Sequence, residues 1–208
     1  EGIVVDLHVM AAIFLSSLAI TFVAMPFLIR KSVAASMTGK DVNKPGAPEV
    51  AEMGGLGIVM GAIGALLIAI ALQTFFGYSF KLVEILAAML TMMIIAVIGT
   101  YDDLFSMRQA IKAVLPMAAA LPLVAVSAAG STSVSIPLFG TFDFGFYYIF
   151  LIIPLGVTVP SNLTNMLAGF NGMEAGMGAV IFATTLLLAF SNGSTEMAMI
   201  SAAMLGAL

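Results

Sequence analysis

The sequence predicts an all-α, polytopic helical membrane protein, and three observations carry that expectation. Of 208 residues, 62% are hydrophobic and only 9% are charged, where soluble chains carry about 25%. The apolar residues gather into runs of membrane-crossing length. The few basic residues gather into alternate loops between those runs. The formal charge of -4 carries less information than this distribution. There is no cysteine, which rules out disulfides, thiol chemistry and Cys-ligated metals. There is no tryptophan, so an interfacial belt must be built from Tyr and Phe. The seven Lys and Arg residues form no stripe that would attract nucleic acid.

Taken in order, the apolar runs lie at about 7–29, 54–76, 82–100, 110–129, 145–160 and 175–191, with a seventh starting near 196. About 20 apolar residues cross a bilayer as a helix. An unpaired backbone group in lipid costs several kcal/mol, so each run is expected to be helical. That gives six complete spans and part of a seventh. The first run has no basic region before it and no small-residue cleavage site, which favours a spanning helix over a signal peptide. The chain begins at Glu1 and ends inside the run "MAMISAAMLGAL", so we expect a C-terminally truncated piece of a longer chain. Pro26, Pro116, Pro122 and Pro154 fall within or near the ends of runs, where membrane helices tolerate proline. Gly57, Gly61 and Gly64 allow close helix approach.

The basic residues set the expected topology. Arg30, Lys31, Lys40 and Lys44 follow the first run, Arg108 and Lys112 the third, and Lys81 alone the second. The positive-inside rule places the loops after runs one and three in the cytoplasm, and the parity of crossings places the loop after run five there too. We therefore expect one transmembrane domain over residues 1–208, with cytoplasmic loops at about 30–53, 101–111 and 161–174. Between runs four and five, "STSVSIPLFGTFDFG" alternates apolar and polar residues around Gly140. It reads as a short outer β-hairpin at about 130–144.

The three basic-side loops hold most of the chemistry: "GKDVNKPGAPEVAEMGG", "GTYDDLFSMRQAIK" and "NLTNMLAGFNGMEAG". Asp102 and Asp103 are adjacent carboxylates at an apolar helix end. They repel one another and lose hydration there. A hard divalent cation would relieve both, taking oxygen ligands while keeping waters or substrate phosphates. Neighbours on a helix point about 100° apart, so one acid would meet the metal and the other a partner or substrate. The plainer reading is that the pair marks the water boundary. Lys40, Lys44 and Lys112 suit a phosphate ligand, and equally suit topology anchors. Gly54-Gly55 opens the second span, with Glu49 and Glu52 just before it, opposing the helix dipole. In the third loop Asn162 and Asn165 share a face if helical. An amide can ligate a metal through oxygen without adding charge, or match a nucleobase edge. Asn171-Gly172 is a turn signal. Glu174 is either a dipole partner for the next helix or a substrate ligand.

Together these loops resemble the polyprenyl-phosphate N-acetylhexosamine-1-phosphate transferase superfamily. The motifs "GKDVNK", "PEVAEMGG" and "GTYDD", then Lys112 with "VLP", then "NLTNMLAGFNGMEAG" occur in order, and the resemblance covers the chain from about residue 39 to 191, plus a topologically consistent first span. Bacterial members, including the muramoyl-pentapeptide transferases, typically carry a DG-x-DG pattern where this chain has Ala168-Gly169 and Asn171-Gly172. The form here resembles the eukaryotic and archaeal branch, the UDP-GlcNAc–dolichyl-phosphate GlcNAc-1-phosphate transferases.

The resemblance implies a ten-helix, usually dimeric fold. It implies transfer of GlcNAc-1-phosphate from UDP-GlcNAc to dolichyl or another polyprenyl phosphate, with release of UMP. That is the first step of lipid-linked oligosaccharide assembly for N-glycosylation, and it depends on Mg²⁺, with Mn²⁺ an alternative ion. By motif position it makes Asp102, Asp103 and Lys112 catalytic, with Asp103 and Asn165 at the metal. It puts Lys44, Glu52, Asn162, Asn171 and Glu174 at the substrate, with Glu49 the alternative registration for Glu52. It also implies a cytoplasmic active face, in an archaeal plasma membrane or the endoplasmic reticulum. The family's further metal-binding aspartate and basic or His-containing loop fall beyond the seventh run, so an incomplete site is expected in these 208 residues. A phosphate monoester is mostly dianionic at neutral pH, its second pKa being about 6, so direct attack on the β-phosphorus needs little base catalysis. A covalent aspartyl-phosphate route is the alternative. Rival readings are phospho-MurNAc-pentapeptide or other HexNAc-1-phosphate transfer to undecaprenyl phosphate, a transporter, and a membrane scaffold.

Overall fold

A computed structural model describes residues 6–41, 43–105, 107–126, 132–136, 138–167, 170 and 172–208. Among these described residues, five helices are long and apolar enough to cross a membrane: Leu7–Ala34 (α1), Gly54–Phe76 (α2), Leu82–Phe105 (α3), Tyr148–Leu167 and Met173–Asn192 (α8). The fourth of these opens with a π-helical turn over Tyr148–Ile152 and continues as α7, Ile153–Leu167. With their apolar side chains turned outward in large number, these helices make an integral membrane protein whose solvent is largely lipid.

The fourth expected span is a broken one. It consists of three short helices in succession, α4 (Gln109–Val114), α5 (Pro116–Ala119) and α6 (Leu121–Ala125). Pro116 and Pro122 have no N–H to continue the α-helical ladder. The backbone tightens around them, with Ala118 N–H donating to the Leu115 carbonyl at 3.0 Å and Ala120 N–H to Met117 at 3.2 Å. Elsewhere proline is absorbed, since α1 runs through Pro26 and α7 through Pro160. The fifth span also exceeds its expected end. The stretch expected as a loop over 161–174 is helical to Leu167 and again from Met173.

The chain divides into two compact units, Glu1–Ile85 with Leu167–Leu208, and Leu86–Met166. In the first unit, α1, α2 and α9 (Thr195–Ala207) pack on one another and α8 packs on α9. Small residues make this possible. A Cβ at Gly61 would strike the Thr21 hydroxyl, and one at Gly206 the Phe14 carbonyl oxygen. Ile13, Leu66 and Met199 are fully buried there. Ser17 is buried too, and its hydroxyl donates to the Ala203 carbonyl at 2.6 Å. A satisfied hydroxyl lets two helices approach without an orphaned polar group. Two strands, β1 (Thr38–Lys40) and β2 (Glu49–Ala51), form an antiparallel ladder after α1 in the same unit.

The second unit carries the other ladder, β3 (Ser133–Ile136) against β4 (Gly140–Asp143), in the register Ser133↔Asp143 to Ile136↔Gly140. This is the hairpin expected from the alternation around Gly140, whose φ of 94° suits glycine.

Candidate active site

In the second unit, α3 stays helical past Asp102 and Asp103 and ends at Phe105. The last turn of a helix presents partial negative charge, so acids placed there need compensation. Asp102 receives it twice. The Met107 backbone N–H donates to its Oδ1 at 3.1 Å, and the Lys112 ammonium, on α4, pairs with its Oδ2. These side chains are only 14% and 26% exposed, Asp102 and Lys112 respectively, so water and salt screen the pair less than a surface pair. The chain reverses before α4 through Arg108, whose extended backbone precedes the first helical turn, and this brings Lys112 back to the end of α3.

Asn162 completes the group. Its Nδ2 donates to the Thr158 carbonyl at 3.0 Å and to the Ala113 carbonyl, next to Lys112, at 3.3 Å. The end of α3, α4 and the C-terminal half of α7 are thereby tied together by polar contacts. Asp103, one helical step from Asp102, is more exposed, and Asn165 is exposed near the end of α7. The sequence invoked a divalent cation to relieve both acids, but Lys112 already answers the charge on Asp102.

Among the described residues, no three acids or histidines gather into a set that would hold a metal alone. The donor chemistry nevertheless fits a hard cation. Asp103 and Asn165 supply a carboxylate and an amide oxygen on exposed positions, and Mg²⁺ usually takes one or two carboxylates with water and substrate phosphates. Asp102, with both oxygens engaged, is better suited to hold Lys112 than to ligate metal.

The first unit holds the remaining predicted residues, apart from Asn171, which lies outside the described residues. Lys44 sits in the turn between β1 and β2 and pairs with Asp41 at 3.2 Å. Asp41 is nearly buried, and its Oδ1 accepts the Asn43 N–H at 3.2 Å. It therefore shapes the turn and holds the lysine at once. Sequence reasoning gave Asp41 no role, although Asp-x-Asn followed by Lys is a turn signal with a charge attached. Glu52 follows β2, and its carboxylate lies over Gly39, where a Cβ would strike it. Glu49 is paired across the ladder with Lys40. Met53 takes a left-handed φ of 69° to launch α2 at Gly54. Glu174 lies exposed in the first turn of α8, where a negative charge favourably opposes the dipole.

A sequence profile for Glycosyl transferase family 4 matches residues 85–208. Among individual proteins, the UDP-N-acetylglucosamine–dolichyl-phosphate N-acetylglucosaminephosphotransferase of Dictyostelium discoideum is 33% identical, covering 81% of this chain and 45% of that protein. A Saccharolobus solfataricus protein that carries the same name provisionally is 33% identical over 86% of this chain and 53% of its own length. The phospho-N-acetylmuramoyl-pentapeptide-transferase of Shouchella clausii is 30% identical over 95% of this chain and 61% of its own length. The chain thus spans about half the length of the curated relatives it matches.

Proposed function

The chain belongs to glycosyl transferase family 4, and from that premise we propose that the protein transfers GlcNAc-1-phosphate from UDP-GlcNAc to dolichyl or a related polyprenyl phosphate, releasing UMP. The observation that carries this reading is the grouping of Asp102, Lys112 and Asn162 beside Asp103, within the region the family profile matches. The arrangement suits a reaction between two anions. A lipid phosphate oxygen attacks the β-phosphorus of the nucleotide sugar, the new P–O bond forms, and the bond to the UMP oxygen breaks. Lys112, oriented by Asp102, neutralises phosphate charge as it moves to the leaving group. Asp103 and Asn165 would hold the Mg²⁺, which supplies further charge neutralisation of the diphosphate when bound. Asn162 fixes α7 against α4, so Asn165 keeps its place relative to Lys112. Holding both reactants in line supplies much of the remaining rate.

By motif position alone, Lys44, Glu52, Asn171 and Glu174 are assigned to the nucleotide sugar. The site opens to the cytoplasmic side, and the working protein is a homodimer. Purified full-length protein, of which these 208 residues are the part described, incubated with labelled UDP-GlcNAc, dolichyl phosphate and Mg²⁺ is expected to yield lipid-linked GlcNAc diphosphate and UMP in equal amounts. No lipid-linked product with any UDP-sugar would overturn the assignment. The Shouchella similarity favours one second reading, phospho-MurNAc-pentapeptide transfer to undecaprenyl phosphate. Product formed only from UDP-MurNAc-pentapeptide would select it.

A further inference from the structure

The hairpin of β3 and β4 has two chemically distinct faces that the transfer reaction does not use. Side chains alternate across a strand, so the register puts Ser133, Ser135, Thr141 and Asp143 on one face and Val134, Ile136 and Phe142 on the other. The polar face is internally bonded, with Ser135 and Thr141 hydroxyls 2.7 Å apart. On the other face Ile136 and Phe142 are exposed. At the tip Leu138 is fully exposed and Phe139 is 75% exposed. Pro137 lies outside the described residues.

What covers this surface follows from where the chain goes next. After Asp143 come Phe144, Phe146 and Tyr147, and the membrane-length helix begins at Tyr148. Phe146 and Tyr147 are largely exposed, and Phe146 stacks on Phe150 of that helix with centroids 6.0 Å apart. This is the aromatic composition of a membrane–water boundary. The hairpin is therefore joined to the membrane-length helix by a short aromatic segment.

We propose that the β3–β4 hairpin is a monotopic lipid-binding element, lying along the bilayer surface with Leu138 and Phe139 inserted among the acyl chains and the Ser/Thr face turned to water. The hairpin carries no Lys or Arg between Thr132 and Gly145, so insertion is apolar in origin. It does not depend on anionic headgroups, which recognise basic clusters.

The absence of cysteine makes the test direct. Single variants Leu138→Cys, Phe139→Cys and Thr141→Cys are labelled with an environment-sensitive fluorophore and reconstituted into phosphatidylcholine vesicles containing nitroxide-labelled phosphatidylcholine. Labels at 138 and 139 are expected to be quenched by the nitroxide lipid at least about threefold more strongly than the label at 141, and shielded from aqueous iodide by a similar factor. Replacing part of the lipid with phosphatidylserine should leave this pattern unchanged. Equal iodide access at all three positions would overturn the proposal. So would protection at 138 and 139 without lipid quenching, which would mean that protein covers the tip. Because these side chains already face outward, labelling them removes no core packing, and the retained contrast with position 141 reports a folded hairpin.

Discussion

At the residue scale, the division of labour between adjacent carboxylates governs the expected mutational pattern. Asp102 is committed to Lys112 and the Met107 N–H, while Asp103 is the acid assigned to metal. Asp103→Asn is expected to lower kcat by roughly 10²-fold or more, the scale on which single charge-stabilising groups act, and to raise the Mg²⁺ concentration needed for half-maximal turnover. Asp102→Asn should lower kcat through a misplaced Lys112, with little change in that Mg²⁺ requirement. Lys112→Met combined with Asp102→Asn should cost less than the two single losses together, because the residues act as one unit. Additive losses in turnover measurements would separate them. The acid pair was legible in "GTYDD" because two neighbouring charges at an apolar run are conspicuous. Lys112 was legible as a candidate cation, but its pairing with Asp102 was not, because a chain reversal separates the two. Likewise Lys44 was visible as a loose cation, whereas the nearly buried Asp41 that holds it is a feature of the folded turn.

At the element scale, helix existence was legible from length and hydrophobicity, and helix continuity was not. Proline was read as tolerated throughout. It is tolerated in α1 and α7, yet it divides the fourth run at Pro116 and Pro122. Each proline lacks the N–H that continues the ladder, and no single-sequence pattern reports which of them ends a helix. Close packing gives a second prediction. Gly206→Ala pushes a methyl group into the Phe14 carbonyl, and overpacking of this kind costs about 1–3 kcal/mol. The melting temperature in detergent should fall, while Gly176→Ala, which meets nothing within 4 Å, should leave it unchanged or slightly raised. The hairpin gives a third. Thr132 chiefly, with the Gly145 N–H, holds the Asp143 carboxyl below the usual carboxylate range. A depressed folded-state pKa stabilises the hairpin above the unfolded value, about 3.9, and that contribution is lost as pH falls through the folded value. Backbone hydrogen exchange over 132–145, corrected for intrinsic rates, should accelerate below about pH 4. Asp143→Asn should flatten that acid dependence.

At the scale of the whole molecule, the question is which way the chain is threaded. Its few charges carry that information. Cytoplasmic loops retain Lys and Arg because the bias acts on residues flanking the spans, and the clusters here are Arg30 to Lys44 and Arg108 with Lys112. The proposed chemistry requires the same orientation, since a nucleotide sugar is water-borne and cannot cross the bilayer to an outer site. Lys40 and Arg108 are both exposed and are outside the assigned machinery. In this cysteine-free chain, Lys40→Cys and Arg108→Cys should each react with a membrane-impermeant maleimide in inverted vesicles and stay unlabelled in intact cells. Tyr78→Cys, from the short segment before Lys81, should show the opposite pattern. The single basic residue there, Lys81, is outnumbered by the clusters after the first and third runs, and it is the Lys and Arg count that sets the bias. Labelling of position 40 or 108 in intact cells would reverse the threading. A cytoplasmic nucleotide-sugar site would then be untenable whatever the local geometry of Asp102 and Lys112.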